Sequence, residues 1–445
     1  MKRNIIILLI LSTYLSITGC STLLFQKSPE FIKVQGTKFI LDGKPYYFLG
    51  TNLWYGCYLG SAGETGDRER LVKELDLLES LGLTNLRILA ASEKSEIENS
   101  LKPAIQLEPG IYDENLLEGL DFLLYEMGKR DMRAVVFLNN YWEWSGGMAQ
   151  YNAWTNGQKV ADPENPDFGG GEFMRLSATF YSNEEGNKLF RNFIEKIITR
   201  KNTFNDLYYY EDPTIMAWQL ANEPRPWDSG EVIQNYYNWI DSTAMFIHSI
   251  DPNHLVCTGN EGTMGSLKSE EYYLNAHQSK YIDYLTFHLW IKNWGWYDAK
   301  NYEGTFDSAK IKATNYIKEH IQLAETLNKP VTLEEFGIGR DLENHSIISS
   351  TIARDNYYNT IFKLAYDSAS VGAPIAGTNF WTWGGYGRAQ HRDFVWREGD
   401  NFIGDPPQEP QGLNSVFDSD TTTLNIIMKY SKLMNELKDN KGSDR

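Results

Sequence analysis

The chain has 445 residues, and 42 Lys+Arg against 59 Asp+Glu leave it with a net charge of −17. A field of that sign repels phosphate backbones and anionic lipid, so nucleic acid is excluded as a partner. With 42% hydrophobic and 14% aromatic residues the chain is no disordered polymer either. Its 13 Trp and 27 Tyr in an acidic background suit a neutral, ring-shaped, hydroxyl-rich ligand, since rings stack on aromatic faces while carboxylates accept hydroxyl protons.

Lys2 and Arg3 precede an apolar run from Ile5 to Ile17. That run is too short to span a bilayer comfortably and has the form of a secretory signal. It ends in Ile17-Thr18-Gly19-Cys20, which resembles the bacterial lipobox, where cleavage leaves an acylated cysteine at the new N-terminus. Residues 1–19 are therefore expected to be a lipoprotein signal peptide, Cys20 the lipidation site and residues 20–30 a tether. The expected protein is exported and anchored to a bacterial membrane, the outer one being favoured, in the periplasm or at the cell surface. Its only membrane contact would be the lipid. Cys57 and Cys257 are the remaining cysteines, too few for a disulfide scaffold; they could pair or stay as small buried hydrophobes.

From Phe31 to Phe48 apolar and polar residues alternate around Gly36 and Asp42-Gly43, which predicts a β-hairpin. A strand follows into Gly50. Further strands are expected at Asn85–Leu89, Ala134–Leu138, Ile215–Leu220, His254–Thr258, Tyr284–His288, Val331–Glu335 and Gly377–Trp383. Helical patterns fall at Glu69–Leu81, Glu114–Lys129, Glu184–Lys201, Val232–Ser249, Ala309–Leu327 and Ile352–Ser368. Eight strands with a helix after most of them argue an α/β fold, a (β/α)8 TIM barrel with an N-terminal β-hairpin and long βα loops. Without an internal linker or repeat, residues 31–438 read as a single catalytic domain and 439–445 as a polar tail. The longest irregular stretch, Asn139 to about Tyr181, carries Trp142, Trp144, Tyr151 and Trp154 among many glycines, and loops of that length are usually functional.

In such a barrel the active site lies at the C-terminal ends of the strands. The polar residues there are Arg87, Asn139, Asn140, Asn222, Glu223, Glu261, His288 and Glu335, with Trp381 on the last strand. Glu223 closes an apolar strand in Asn-Glu-Pro and Glu335 closes another in Glu-Phe-Gly. Coming from the fourth and seventh strands, the two would face each other across the mouth. Paired carboxylates are what glycoside hydrolysis uses, one protonated for the leaving oxygen and one ionised to attack. A lone Glu at a strand end is usually a solvated or capping carboxylate. Two of them in these contexts, with Arg87 and His288 on other strands, favour chemistry. No His-Glu-x-x-His or Cys/His cluster calls for a metal, and no cofactor is expected.

The segments TNLRILAASE, LNNYWEWSGGMAQYNAW, PTIMAWQLANEPRP, DPNHLVCTGNEG, YLTFHLWIKNWGWYD, KPVTLEEFGIGRD and GTNFWTWGGYGR resemble glycoside hydrolase family 5 of clan A, in its endo-β-1,4-mannanase branch. The resemblance runs from about residue 31 to about 437. It implies Glu223 as acid/base and Glu335, rather than adjacent Glu334, as nucleophile. Strand alternation agrees, since neighbours face opposite ways and Glu335 is nearer the turn. It further implies that Asn222 binds the sugar 2-hydroxyl, Arg87 supports the nucleophile, His288 orders the site, Trp381 forms a stacking floor, and Trp54 and Trp142 line the cleft. Two departures stand out: Trp290 occupies the position where relatives place a Tyr against the nucleophile, and Asn139-Asn140 stand where many have His.

The expected activity is retaining cleavage of internal β-1,4-mannosidic bonds in mannan, glucomannan or galactomannan by a monomer. Glu223 is expected to start protonated, its carboxyl raised by a dry site and the charge of Glu335, and the carboxyl groups to stand about 5 to 5.5 Å apart. Alternatives are an exo-β-mannosidase on the same scaffold, an endo-glucanase, and a surface glycan-binding lipoprotein with a dead site.

Overall fold

The structure is a computed structural model that describes residues 30–437 except 161, 164, 166 and 167. The expected signal peptide, Cys20, most of the tether and the polar tail lie outside the described residues. Eight parallel strands build the centre: β1 (Phe48–Asn52), β2 (Asn85–Leu89), β3 (Arg133–Phe137), β4 (Ile215–Gln219), β5 (Leu255–Cys257), β6 (Leu285–Leu289), β7 (Val331–Phe336) and β8 (Ile375–Phe380). Their hydrogen-bonded order is β5-β4-β3-β2-β1-β8-β7-β6. A parallel bridge between Cys257 and Tyr284 links the two ends. Almost every strand residue is buried, as apolar runs covered on both faces require.

After each strand comes a helix: α1 (Arg68–Ser80), α2 (Glu114–Gly128), α3 (Glu184–Ile198), α4 (Glu231–Ile250), α5 (Glu270–His277), α6 (Tyr302–Leu327), α7 (Ile352–Ser370) and α8 (Thr421–Glu436). The (β/α)8 barrel expected from the alternation is the fold observed. The starts of three helices are capped: Asp67, Asp113 and Asn183 each accept a backbone N–H from the first turn of α1, α2 and α3. The short α5 and the C-terminal α8 escaped the sequence reading. So did two helices, Gly147–Asn156 and Gly169–Ala178, inside the stretch expected to be irregular.

The N-terminal segment is a three-stranded antiparallel sheet (Lys33–Gln35, Lys38–Leu41, Lys44–Pro45), one strand more than the expected hairpin. Its second turn needs positive φ at both Asp42 and Gly43, which Asp tolerates and Gly favours. Phe39 packs edge-on against Tyr284 just before β6, so the sheet covers the end of the barrel remote from the candidate site. Cys57 and Cys257 are both buried and unpaired.

Candidate active site

Glu223 and Glu335 arrive where the strand ends converge. β4 ends at Gln219, the chain continues through an Asn222–Asn140 bridge, and Glu223 takes a positive φ of 50°. That conformation is uncommon away from glycine and is held by the backbone bond from Glu223 to the carbonyl of Gly259. Glu335 lies on β7 beside a β-bulge: Phe287 pairs with Leu333 but His288 pairs with Glu335, so Glu334 is skipped. The bulge corrects the expectation that the two glutamates face opposite ways. Glu335 reaches the cavity, while the Glu334 carboxyl turns toward Gln219 and Arg87 inside the barrel.

One oxygen of each catalytic candidate and Nδ1 of His288 lie within 4.8 Å of one another. His288 Nδ1 is 2.7 Å from Glu223 Oε1 and 3.3 Å from Glu335 Oε2. Trp142 donates its indole N–H to Glu223 Oε2 at 2.6 Å, and Arg225 reaches the same oxygen at 3.2 Å. Arg87 donates to Glu335 at 2.5 Å, to Asn222 at 2.6 Å, to Gln219 at 2.8 Å and to Asn52 at 3.0 Å. Each nitrogen of that buried guanidinium is thereby committed. The three clustered atoms are the set among the described residues whose spacing suits a cation. Arg87 and Arg225 already neutralise those carboxylates, so a further positive charge would be opposed.

Burial pushes the Glu223 carboxyl up, but the hydrogen bond and charge of His288, with Arg225 and Trp142, pull it down to about 2. Burial lowers His288, while Glu335 and Glu223 raise it to about 9. This reverses the expectation that Glu223 holds the proton at rest. Glu223 and His288 thus form a proton-sharing couple in which the three donors aimed at the carboxylate favour the imidazolium. Glu261 is pushed up to about 7 by burial, against the pull of Arg225, with which it is paired.

The cavity above these groups has a volume of about 510 Å³. Glu223, Glu335, Asn222, Glu261, Trp142, Trp290 and Trp381 all line it, while Arg87 and His288 stand behind the carboxylates. Trp290 meets Trp381 edge to face at 6.2 Å. Trp54, expected to line the cleft, is fully buried instead. Its ring packs edge-on against Trp144 and Phe402, and its indole donates to the carbonyl of Gly404 at 2.5 Å. Trp54 therefore supports the loop after β8 and does not face a ligand.

Several cavity residues were missed from the sequence. Arg225, two positions past Glu223, bridges Glu223 and Glu261 and stacks 4.8 Å above Trp142. Trp294 donates to Glu261 at 3.2 Å. Pro406, Gln408 and Glu409 belong to the loop after β8. Asp405 pins that loop by accepting from the backbone of Gly412 at 2.8 Å and Asn414 at 2.7 Å. Glu409 is pushed up to about 8 by burial and by the charges of Asp405 and Glu335. The Asp-Pro-Pro-Gln-Glu-Pro run was the available signal: a proline-rich segment bearing carboxylates between the last strand and the last helix.

Two close-set carboxyls at the C-terminal mouth of a (β/α)8 barrel, backed by an arginine and walled by tryptophans, define a glycoside hydrolase. The comparisons sharpen that class. Residues 29–439 match the model of the glycoside hydrolase family 5 β-mannosidase-like proteins. The chain is 29% identical over 425 residues to putative mannan endo-1,4-β-mannosidase 4 of Arabidopsis thaliana, covering 92% of each chain. Its identity to mannan endo-1,4-β-mannosidase 5 of Solanum lycopersicum is 31%, over 82% of this chain and 83% of that one. Among solved structures, the family 5 mannosidase of Rhizomucor miehei superposes with a TM-score of 0.84 at 35% identity, covering 92% of this chain and 98% of that one. The chain belongs to the glycoside hydrolase family 5 β-mannosidase-like family.

Proposed function

We propose that the protein hydrolyses β-1,4-mannosidic bonds with retention of configuration, Glu335 acting as nucleophile and Glu223 as acid/base. The observation that carries this reading is the close approach of the two carboxylates, an oxygen of Glu223 and an oxygen of Glu335 lying within 4.8 Å of each other with His288 between them, the close-set pairing that direct attack on the anomeric carbon uses. In the first step an oxygen of Glu335 bonds to the anomeric carbon and the glycosidic C–O bond breaks. The departing oxygen takes a proton from Glu223, to which His288 has passed it, so that this step leaves Glu223 a carboxylate and His288 neutral. In the second step a water gives its proton to Glu223 and its oxygen to the anomeric carbon, freeing Glu335. Arg87 keeps the nucleophile charged and oriented, and Trp381 offers an aromatic face to the sugar.

Mannan as substrate is supported by the relatives named mannan endo-1,4-β-mannosidases and by the Rhizomucor miehei mannosidase, a mutant form of which is described in complex with mannosyl-fructose. Cleavage of internal bonds is the reading those named relatives favour. A second reading, removal of terminal mannose, is favoured by the loop after β8. Pinned by Asp405 and Trp54, it brings Pro406, Gln408 and Glu409 to the cavity wall, placing them to wall off one end of the cleft. The lipobox-like Cys20 segment supports an exported, lipid-anchored protein that meets mannan or manno-oligosaccharides outside the cytoplasm. Incubation with linear β-1,4-mannohexaose tests the activity: a ladder of oligosaccharides establishes internal cleavage, mannose alone from the earliest time establishes terminal cleavage, and no cleavage refutes the proposal.

A further inference from the structure

Beneath the catalytic pair lies a third carboxyl for which the reaction as written has no use. Glu334 is 2% exposed, and the bulge on β7 turns its side chain into the barrel beside that of Glu335. Each polar neighbour of its carboxyl is a donor. The Gln219 amide donates to Oε2, while Tyr284 at 3.5 Å and Thr332 at 3.3 Å donate to Oε1. Arg87 Nε stands 3.7 Å from Oε2. The Gln219 NH2 and the Arg87 guanidinium can only donate, and both face Oε2, which favours the carboxylate form.

We infer that Glu334 is a second counter-ion to Arg87 which, through Gln219, fixes how the guanidinium is shared and so tunes the nucleophile Glu335. The inference rests on the retaining reading above. Gln219 is the link: its NH2 donates to Glu334 and approaches Cys257 Sγ at 3.4 Å, which leaves its carbonyl oxygen free to accept Arg87 Nε at 2.8 Å. Loss of the Glu334 charge removes the reason for that amide orientation. Flipped, Gln219 would aim its NH2 at Arg87 Nε, two donors meeting head on. The guanidinium would then be drawn to Glu335 alone, and a carboxylate neutralised by an undivided cation is a poorer nucleophile.

The charged and titratable groups around Glu334 are few. Arg87 on β2 and His288 on β6 are cationic, Glu335 on β7 is anionic, and Cys257 on β5 and Tyr284 before β6 stay protonated, pushed up by burial. Burial pushes Glu334 itself up, against the pull of Arg87 and His288. None of its carboxyl contacts is a cavity-lining side chain, so it acts as a positioning residue and its removal acts on turnover rather than on sugar binding.

The test compares the full chain with its Glu334→Gln, Gln219→Met and doubly substituted forms on β-1,4-mannohexaose, reading kcat and KM separately across the acidic range, with thermal melting alongside. Glu334→Gln is expected to lower kcat about tenfold or more with KM unchanged, and to move the acidic limb of the profile to lower pH. Gln219→Met should reproduce the drop in kcat, and the double variant should be no worse than the lower single one, as for groups acting through one chain. Glu334→Asp, which keeps the charge, should recover part of the turnover. Additive losses, or a folded Glu334→Gln enzyme with unaltered kcat and acidic limb, would overturn the inference. If Glu334→Gln does not fold, Gln219→Met decides alone: wild-type kcat would overturn the inference and a KM-neutral loss would support it. An unsubstituted chain that cuts no mannohexaose would instead refute the parent reading.

Discussion

Replacing His288 with Gln separates proton supply from mere packing. The imidazole stands 2.7 Å from Glu223 Oε1, its charge centred about 4 Å from that of the carboxylate. At an effective dielectric of about 20 that pair is worth about 4 kcal/mol, or about 3 pK units. Gln can still donate a hydrogen bond but carries no charge, so the Glu223 carboxyl should rise from about 2 to about 5. In the parent chain the couple keeps its proton until the pH passes about 9, where His288 releases it. In His288→Gln the proton resides on Glu223 alone and leaves near pH 5. The basic limb of kcat/KM, which reports the free enzyme, should therefore move down by about 4 pH units. Near pH 7 the variant would hold its proton in about 1% of molecules, a hundredfold loss, and near pH 5 it should recover to within a few-fold. The assay is a pH series of initial rates on mannohexaose. A basic limb that stays near pH 9, or a loss equally deep at pH 5, would refute the couple and leave His288 as a packing residue.

Other substitutions probe other links. Glu335→Gln should abolish turnover while leaving the melting temperature within a few degrees, checked by rates and circular dichroism. Trp142→Phe keeps the stack on Phe173 but removes the 2.6 Å indole donor to Glu223. A hydrogen bond to a charged group is worth about 1.5 to 3 kcal/mol, so kcat/KM should fall about 10- to 100-fold. Asp420→Asn removes the anion shared by the buried Arg340 and Arg354, and urea denaturation should show a loss of about 3 to 5 kcal/mol.

The barrel and its catalytic rim were legible because each strand announces itself as a short apolar run and the fold dictates that function gathers where those runs end. Arg87, Asn222, Glu223, Glu261 and Glu335 needed nothing more than that rule. What escaped has no such period. Arg225 and Trp294 lie in loops whose course no spacing encodes, and the Asp405–Glu409 turn reaches the cavity only because Asp405 and Trp54 hold it there. Trp54 illustrates the opposite error. Its place after β1 was read correctly, but whether an indole faces a ligand or the core is settled by Trp144 and Phe402, far away in sequence. Strand alternation likewise failed at Glu334, because a bulge breaks the two-residue period without leaving a mark in composition. The electrostatic surroundings of Glu223 were hidden for a related reason. Burial alone raises a carboxyl, and only coordinates reveal that His288, Trp142 and Arg225 all point at it.

The central claim is double displacement at Glu335 with Glu223 returning the proton. Proton NMR of the first product released from β-1,4-mannohexaose tests it most directly, before mutarotation mixes the anomers. The account predicts that the β-anomer appears first and the α-anomer only later. An α-anomer formed first would mean inversion, and would contradict the roles given to both carboxyls.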